Sequence, residues 1–113
     1  MAKPADKIYI SHILVAARLI KEFIKDKSLQ DFQSEPMRSS AVVRQLEVIG
    51  EAAKRLSVET KEDASNLPWR KITGMRDFLI HDYIEVDTEM VWKAAIQDVP
   101  ELVKELERYE KEL

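Results

Sequence analysis

The stretch ADKIYISHILVAARLIKEFIKDKS, residues 5–28, has the apolar spacing of a long helix. Its aliphatic residues recur every three or four positions and would form one stripe on a helical surface: Ile10, Ile13, Leu14, Ala17, Ile20 and Ile24. Pro4 suits the first turn of such a helix, and the lysines near its other end suit the helix dipole. We predict a helix from about Pro4 to Lys27, followed by a polar connector over SLQDFQSEP, residues 28–36.

A second helix is predicted after the N-cap residue Ser34, ending near Ser57. Its apolar residues alternate four-residue and three-residue steps, which is typical of a bundle seam: Val42, Leu46, Ile49, Ala53 and Leu56. Gly50 interrupts this pattern and costs about 1 kcal/mol relative to alanine in an exposed helix. We therefore expect Gly50 to allow another helix to approach closely. The next segment, VETKEDASN (residues 58–66), is charged and aperiodic, which predicts a loop.

The C-terminal half continues the helical pattern. A third helix is predicted over residues 68–84, with a possible kink at Gly74, and a fourth helix is predicted after a cap at Asp87 or Thr88. Pro100 either kinks the fourth helix or starts a fifth. We find no internal repeat and no alternating strand pattern. The sequence therefore predicts an all-α fold, an antiparallel bundle of four or five helices in a single domain spanning residues 1–113.

Composition narrows the functional classes. The 113 residues are 45% apolar and 35% charged, contain no cysteine, and carry a net charge of −3. The absence of cysteine excludes a disulfide scaffold, a thiolate zinc site and a cysteine nucleophile, and the net charge argues against a uniformly basic nucleic-acid binder. No apolar run approaches the roughly 20 residues that span a bilayer, and the first residues lack an apolar targeting segment. We expect a cytoplasmic protein without a membrane partner.

Charge is distributed unevenly along the chain. Residues 1–58 contain 10 Lys and Arg against 7 Asp and Glu, whereas residues 84–113 contain 4 against 9. This asymmetry could define a binding face. The same asymmetry could reflect charged helix surfaces that face water. The general behaviour of charged helices favours this second interpretation.

One short segment concentrates reactive side chains: RDFLIHDY, residues 76–83. On a helix, Tyr83 would lie about 20° from Arg76, Asp77 about 100° and His81 about 140°, all outside the apolar arc. Arginine binds phosphate oxygens, histidine transfers protons near neutral pH, and tyrosine offers a hydroxyl and a stacking ring. This set suits metal-free RNA cleavage. A two-fold dimer would bring two such segments together and supply the second imidazole that acid and base catalysis require.

Simpler explanations of this segment remain open. Asp77 and His81 are four residues apart and could form an ordinary ion pair on one helix face, and Tyr83 could lie at the rim with its hydroxyl in water. On spacing alone the structural interpretation is favoured. A metal site built on Asp77 and His81 is less favoured still, because no further ligands stand at suitable spacing. We expect no metal and no cofactor.

The pattern Arg76-x4-His81-x-Tyr83 resembles the signature of HepT-like toxins in the HEPN superfamily. The tracts VVRQLEVIGEAAKRLS (residues 42–57) and LPWRKITGMRDFLIHDYIEVDTEMVW (residues 67–92) are similar to the family's second helix and motif region. The resemblance implies an all-helical homodimer whose motifs meet in a cleft at the dimer interface, with metal-independent endoribonuclease activity on RNA. It implies that Arg76 and His81 are the catalytic pair and that Asp77 and Tyr83 support the site.

The same resemblance implies a partner. HepT-like toxins pair with a minimal nucleotidyltransferase antitoxin in a type VII-like system, and the antitoxin attaches AMP to the motif tyrosine, here Tyr83. ATP and Mg²⁺ belong to the antitoxin, so this chain itself needs no cofactor. Inhibition could proceed by modification, by complex formation or by both. The alternative function is a non-catalytic HEPN module that only binds the nucleotidyltransferase. A plain helical dimerisation domain would leave the polar segment without a purpose.

Other polar residues have weaker functional indications. Glu51 could reach Arg76 or His81 across the bundle, or it could be a surface acid. Arg44 lies two turns before Glu51 on the same helix face and could contact an RNA phosphate, although a salt bridge between the two is the favoured interpretation. A structural role is favoured for His12, because an isolated histidine is a weak sign of function. Two aromatic residues flank the motif and are expected to pack rather than to stack on bases: Trp69 and Trp92.

Overall fold

A computed structural model describes residues 4–75, 80–82 and 85–112, with side chains for residues 4–75 and 86–111. Over these residues the protein is a helical bundle with one short two-stranded antiparallel sheet, and the all-α fold class predicted from the sequence is confirmed. After a 3-10 turn at Pro4–Asp6, the elements in chain order are α1 (Lys7–Ile24), α2 (Leu29–Ser34), α3 (Pro36–Lys54), α4 (Val58–Asp63), α5 (Trp69–Thr73), β1 (Ile80–Asp82), β2 (Glu85–Val86), α6 (Thr88–Lys93), a π-helical turn (Ala94–Asp98) and α7 (Val99–Glu112).

The core lies mainly between α1 and α3, and α7 packs against α1 beside it. All five residues of the predicted α3 seam are buried, and so are the residues of the predicted apolar face of α1 from Ile10 to Ile20. Helix α1 ends at Ile24, three residues earlier than predicted. The cause is local, because Asp26 adopts a left-handed φ of 59°, which aspartate tolerates but a continuing helix does not.

Gly50 provides the close contact that its place in the sequence suggests. A Cβ atom at this position would lie 3.2 Å from the carbonyl oxygen of Ile72 and 3.6 Å from that of Thr73, both on α5. The backbone of α5 therefore rests against α3 where α3 has no side chain. The predicted close approach is confirmed, and this contact sets the position of the end of α5 relative to the core.

The predicted polar connector at residues 28–36 contains a short helix, α2. Ser28 and Asp31 form a capping box, in which Asp31 N donates to Ser28 Oγ at 3.1 Å and Ser28 N donates to Asp31 Oδ2 at 3.0 Å. These hydrogen bonds lower the pKa of Asp31. Phe32 is fully buried against the Trp92 ring, with ring centroids 5.3 Å apart. The connector prediction was wrong because one buried residue in a single helical turn produces no periodicity.

The start of α3 also differs from the prediction. Ser34 is the last residue of α2 rather than the N-cap of α3, and its Oγ donates to the carbonyl oxygen of Asp31. Glu35 takes the N-cap position, and Pro36 is the first helical residue, where its missing N–H leaves no intrahelical hydrogen bond unmade.

The predicted loop at residues 58–66 likewise contains a helix, α4, which Ser57 caps by accepting from Thr60 N. Buried Asp6 stabilises this helix start. It accepts hydrogen bonds from Ser57 N at 3.0 Å, from Ser57 Oγ at 2.7 Å and from Thr60 Oγ1 at 2.6 Å. The loop prediction was wrong because these contacts join residues about fifty positions apart, which local sequence does not reveal.

The third helix departs most from its predicted course. Helix α5 ends at Thr73, Gly74 is its C-cap, and Ile80–Asp82 forms a strand. This strand pairs antiparallel with Glu85–Val86, with Ile80 opposite Val86. A continuous helix over residues 68–84 was therefore wrong at residues 80–82. Both Ile80 and Val86 are β-branched, which favours extended backbone, and short apolar runs do not distinguish helix from strand.

The C-terminal helices follow the prediction more closely. Asp87 caps α6 by accepting from Met90 N at 3.1 Å. Pro100 lies in the first turn of α7, immediately after the π-helical turn. A proline ring clashes with the carbonyl four residues earlier, and the wider turn accommodates it. The backbone stays helical from α6 through this turn into α7, with right-handed helical φ and ψ at Ala94 and Val99, so Pro100 lies within a continued helical run rather than at the start of a separate helix. Lys71 Nζ lies 2.8 Å from Asp98 Oδ2 and so joins α5 to this turn.

Two further side-chain contacts tie these short helices together. Trp69 Nε1 donates to the carbonyl oxygen of Ala64 at 3.0 Å, so that Trp69, like Trp92, packs as predicted. Fully buried Tyr109 on α7 donates its hydroxyl to Asp63 at the end of α4. Burial and this hydrogen bond raise the pKa of Tyr109 to about 12, and the same hydrogen bond lowers the pKa of Asp63.

We expect Phe32→Ala to lower the free energy of unfolding by about 3–5 kcal/mol, because it leaves a cavity where a fully buried ring packs. Urea denaturation followed by circular dichroism measures the loss. The control is Met37→Ala at a side chain that is 89% exposed, which should change stability by less than about 0.5 kcal/mol. Equal stability of the two variants would show that α2 does not contribute to the core.

Candidate functional site

A cleft lies where the N-terminal part of α1, the second half of α3 and the end of α5 meet. Its volume is about 510 Å³, within the roughly 300–1,000 Å³ of small-ligand sites. We call it the α1–α3 cleft, and the residues that line it are Tyr9, His12, Arg44, Glu47, Val48, Gly50, Glu51, Ala52, Lys54, Arg55, Thr73 and Gly74. Gly74 precedes Arg76 by two positions. We call RDFLIHDY, residues 76–83, the motif segment. The cleft therefore borders the point where the chain enters this segment.

Charged side chains dominate the α3 wall of the cleft. Arg44 Nη1 lies 3.9 Å from Glu47 Oε2, and Lys54 Nζ lies 3.3 Å from Glu51 Oε1. Arg55 has no ion pair within the described part of the chain. Three cations therefore face two carboxylates, which leaves the cleft with a charge of +1 in a chain whose net charge is −3.

Two aromatic rings form the α1 wall. The rings of Tyr9 and His12 meet edge to face, with centroids 6.5 Å apart. Tyr9 is half-buried and packs against the core, whereas His12 is exposed. His12 is therefore not a core residue, and the structural role expected for it does not consist of burial in the core. The side chain faces solvent at the edge of the cleft.

Glu51 and Arg44 lie together on the α3 wall of the cleft, whereas the Arg76 and His81 side chains that Glu51 was expected to reach lie outside the described residues. The Glu51 and Arg44 side chains are both exposed, and each forms an ion pair with a neighbour three residues away on α3. Arg44 pairs with Glu47 and Glu51 pairs with Lys54, so the expected salt bridge between Arg44 and Glu51 is not the one that forms. Exposed pairs of this type contribute only about 0–1 kcal/mol and are easily exchanged for another partner.

Sequence reasoning missed Arg55 and Tyr9 as residues of this cleft. A signal for Arg55 was present, because it follows Arg44 by eleven residues, which is close to three full turns and returns to the same helix face. No comparable signal existed for Tyr9, since its position depends on how α1 packs against α3.

The predicted catalytic segment is only partly described. Arg76, Asp77 and Tyr83 lie outside the described residues. His81 lies within β1, where the backbone but not the side chain is described. The helical angles predicted for this segment do not apply at His81, since its backbone is extended. The predicted ion pair between Asp77 and His81 lies outside the described residues.

Within residues 4–75, 80–82 and 85–112, no three His, Cys, Asp or Glu side chains are grouped so that they could hold a metal ion. In the same ranges, no helix combines the length and apolar character of a bilayer-spanning segment.

Part of α1 is exposed and apolar. Ile8, Val15 and Leu19 are 56%, 55% and 39% exposed. Their spacing of seven and four residues places them within about 20° of one line on the helix. We call this line the α1 stripe. His12 lies about 40° from Ile8 around the helix, between the stripe and the α1–α3 cleft.

Comparison with known proteins agrees with the sequence resemblance. The family model described as "Ribonuclease HepT-like" matches residues 13–109. A protein of Caldanaerobacter subterraneus subsp. tengcongensis named "Putative RNase" is 42% identical over 98 residues, which cover 87% of this chain and 88% of that protein. A Thermococcus cleftensis protein named "Probable ribonuclease HepT" is 38% identical over 109 residues, covering 96% and 99%.

A third relative is longer. A Methanocaldococcus jannaschii protein named "Gamma-glutamylcyclotransferase and putative RNase" is 40% identical over 107 residues, covering 95% of this chain but only 48% of that protein. This chain thus spans about half the length of that relative. No solved structure matches the chain. A family match over most of the sequence, with relatives aligned along nearly their whole length, shows that the chain belongs to the HepT-like ribonuclease family.

Proposed function

We propose that this chain is a metal-independent endoribonuclease in which Arg76 and His81 act on the scissile phosphate, with Asp77 and Tyr83 in support. One observation carries the proposal: the motif segment begins two residues after Gly74, at the border of a cationic cleft, in a chain of the HepT-like ribonuclease family. Three relatives are named as ribonucleases, which supports RNA as the substrate.

The chemistry uses groups that the sequence supplies. His81 takes the proton of a ribose 2′-hydroxyl, and the resulting oxygen attacks the adjacent phosphorus. Arg76 pairs with the negative charge that develops on the phosphorane. The leaving 5′-oxygen receives a proton from a second imidazole. The products are a 2′,3′-cyclic phosphate and a 5′-hydroxyl, so that the proton removed from one oxygen is balanced by the proton given to the other.

The second imidazole comes from a second copy of the chain in a homodimer. The exposed α1 stripe supports this part of the proposal, because an apolar row at heptad-like spacing is the usual seam between two helices. His12 lies between the stripe and the α1–α3 cleft, so pairing across the stripe would bring two clefts close together. The motif segments would then share one active site.

In our proposal, RNA cleavage is regulated by modification of Tyr83. The chain is the toxin of a type VII-like toxin–antitoxin pair, and its partner is a minimal nucleotidyltransferase that transfers AMP to the Tyr83 hydroxyl. The added phosphate would pair with Arg76, and the nucleotide would occupy the space that RNA needs. Modification would thus exclude the substrate by both charge and volume.

His81→Ala should lower the rate of RNA cleavage at least about 100-fold, because general acid–base catalysis contributes roughly 10²–10⁴-fold. We would measure cleavage of an end-labelled RNA with EDTA present throughout. Lys25→Ala at the exposed C-cap of α1 is the surface control and should cleave normally.

Two outcomes would contradict this mechanism. Undiminished cleavage by His81→Ala would remove the imidazole from the reaction and favour a non-catalytic interaction module. Wild-type cleavage that requires Mg²⁺ and stops with EDTA would contradict metal independence. Circular dichroism of the variant separates loss of chemistry from loss of fold.

Light scattering of the wild-type chain at micromolar concentration should give the mass of two copies. Val15→Glu places a charge on the 55%-exposed centre of the α1 stripe and should shift the mass to that of one copy. Met37→Glu introduces the same charge at a side chain that is 89% exposed and off the stripe, and it should remain dimeric. A wild-type monomer would rule out the composite active site.

Tyr83→Phe should escape AMP transfer, because it lacks the acceptor oxygen but keeps the ring. Intact mass is measured after incubation with ATP, Mg²⁺ and a nucleotidyltransferase encoded beside this chain. Tyr109 provides an internal comparison, since its hydroxyl is buried and hydrogen-bonded to Asp63. An adduct on the Phe variant, or an adduct that maps to Tyr9, would disprove the assignment to Tyr83.

A further inference from the structure

We propose that the α1–α3 cleft holds the RNA strand next to the cleaved bond, with Arg44 and Arg55 on its phosphates and the Tyr9 and His12 rings against a base. This inference rests on the proposed ribonuclease function and adds a binding subsite to it. The subsite would set the affinity for RNA without taking part in the chemical step.

The cations of the cleft suit a phosphate chain. The guanidinium of Arg55 is uncommitted among the described residues, and that of Arg44 is bound only through an exposed pair at 3.9 Å. A phosphate competes well for such groups, because charge-assisted bidentate contacts are stronger than exposed ion pairs. Arg44 lies on α3 and Arg55 is its C-cap residue on the same face, about 16 Å away along the axis, so the two would contact different phosphates of one strand.

The aromatic wall suits an unpaired base. Tyr9 is held by packing against the core, so its ring is fixed before RNA arrives. His12 meets it edge to face and is exposed to solvent. Single-stranded nucleic acids are commonly bound in this way, by a positive groove along the backbone and aromatic rings beneath the bases.

The position of the cleft favours RNA over a separate ligand. Thr73 and Gly74 form its α5 side, and Gly50 allows α5 to approach α3 there. Two residues of chain span at most about 7 Å, and Arg76 follows Gly74 by two positions. A strand lying in the cleft would therefore extend directly to the catalytic arginine.

The test measures binding separately from cleavage. A short 2′-O-methyl RNA has no free 2′-hydroxyl to attack the phosphorus, so wild-type protein binds it without cutting it. Fluorescence anisotropy over a range of salt concentrations gives both the affinity and the slope of log affinity against log salt. The slope reports how many phosphates are neutralised.

Arg55→Ala and Arg44→Ala should each weaken binding about tenfold at 0.1 M salt and reduce the slope by about 0.7. Arg55→Lys should keep the wild-type slope, because it keeps the charge. Tyr9→Leu should weaken binding about tenfold and leave the slope unchanged, since it removes stacking but no charge. Lys25→Ala lies about 24 Å from Tyr9 along α1 and should match wild type in both values.

These measurements distinguish failure of the cleft proposal from failure of the proposed ribonuclease function. If wild-type protein binds and cuts RNA while both arginine variants bind like wild type, the cleft proposal is overturned and the proposed function stands. If wild-type protein neither binds nor cuts RNA, both fail. With cleavable RNA, Arg55→Ala should raise KM with little change in kcat. A selective fall in kcat would place Arg55 in the chemical step and contradict a binding role.

Discussion

The contact between Gly50 of α3 and the backbone of α5 constrains the rest of the site. A Cβ at residue 50 would meet the Ile72 carbonyl oxygen at 3.2 Å, which is closer than ordinary packing allows. Glycine in a helix costs about 1 kcal/mol relative to alanine, and here the cost is offset by a tight junction. The junction places Gly74 beside the charged face of α3, and the motif segment begins two residues later.

The long helices were predictable from sequence because each buries a continuous stripe. The buried apolar face of α1, the α3 seam and the Asp87 cap depend on residues close together in the chain. The short helices were not predictable, since Phe32 packs on Trp92 and Asp6 accepts hydrogen bonds from Ser57 and Thr60, and contacts between such distant positions leave no local pattern. The strand at Ile80–Asp82 was missed because its pairing with Glu85–Val86, rather than any periodicity, defines it.

Prediction of the candidate site was limited in a similar way. The sequence singled out Arg76 and His81 as a candidate catalytic pair and related their spacing to the HepT-like family, and the family match confirms that the chain belongs to it. It gave no weight to Arg55 or Tyr9, whose shared cleft exists only after α1 has packed against α3. Although the net charge of the chain is −3, three cations and two carboxylates line the α1–α3 cleft, because charge is arranged locally on the surface.

The nature of the RNA ends after cleavage tests the central claim most directly. Attack by the 2′-oxygen leaves a 2′,3′-cyclic phosphate and a 5′-hydroxyl, and one 2′-deoxy substitution on the 5′ side of the cut blocks it. Mass spectrometry of products from a defined RNA distinguishes these ends. We predict the cyclic phosphate and 5′-hydroxyl, with no cleavage at the deoxy position. A 3′-hydroxyl and a 5′-phosphate, or cleavage that tolerates the deoxy sugar, would contradict the mechanism.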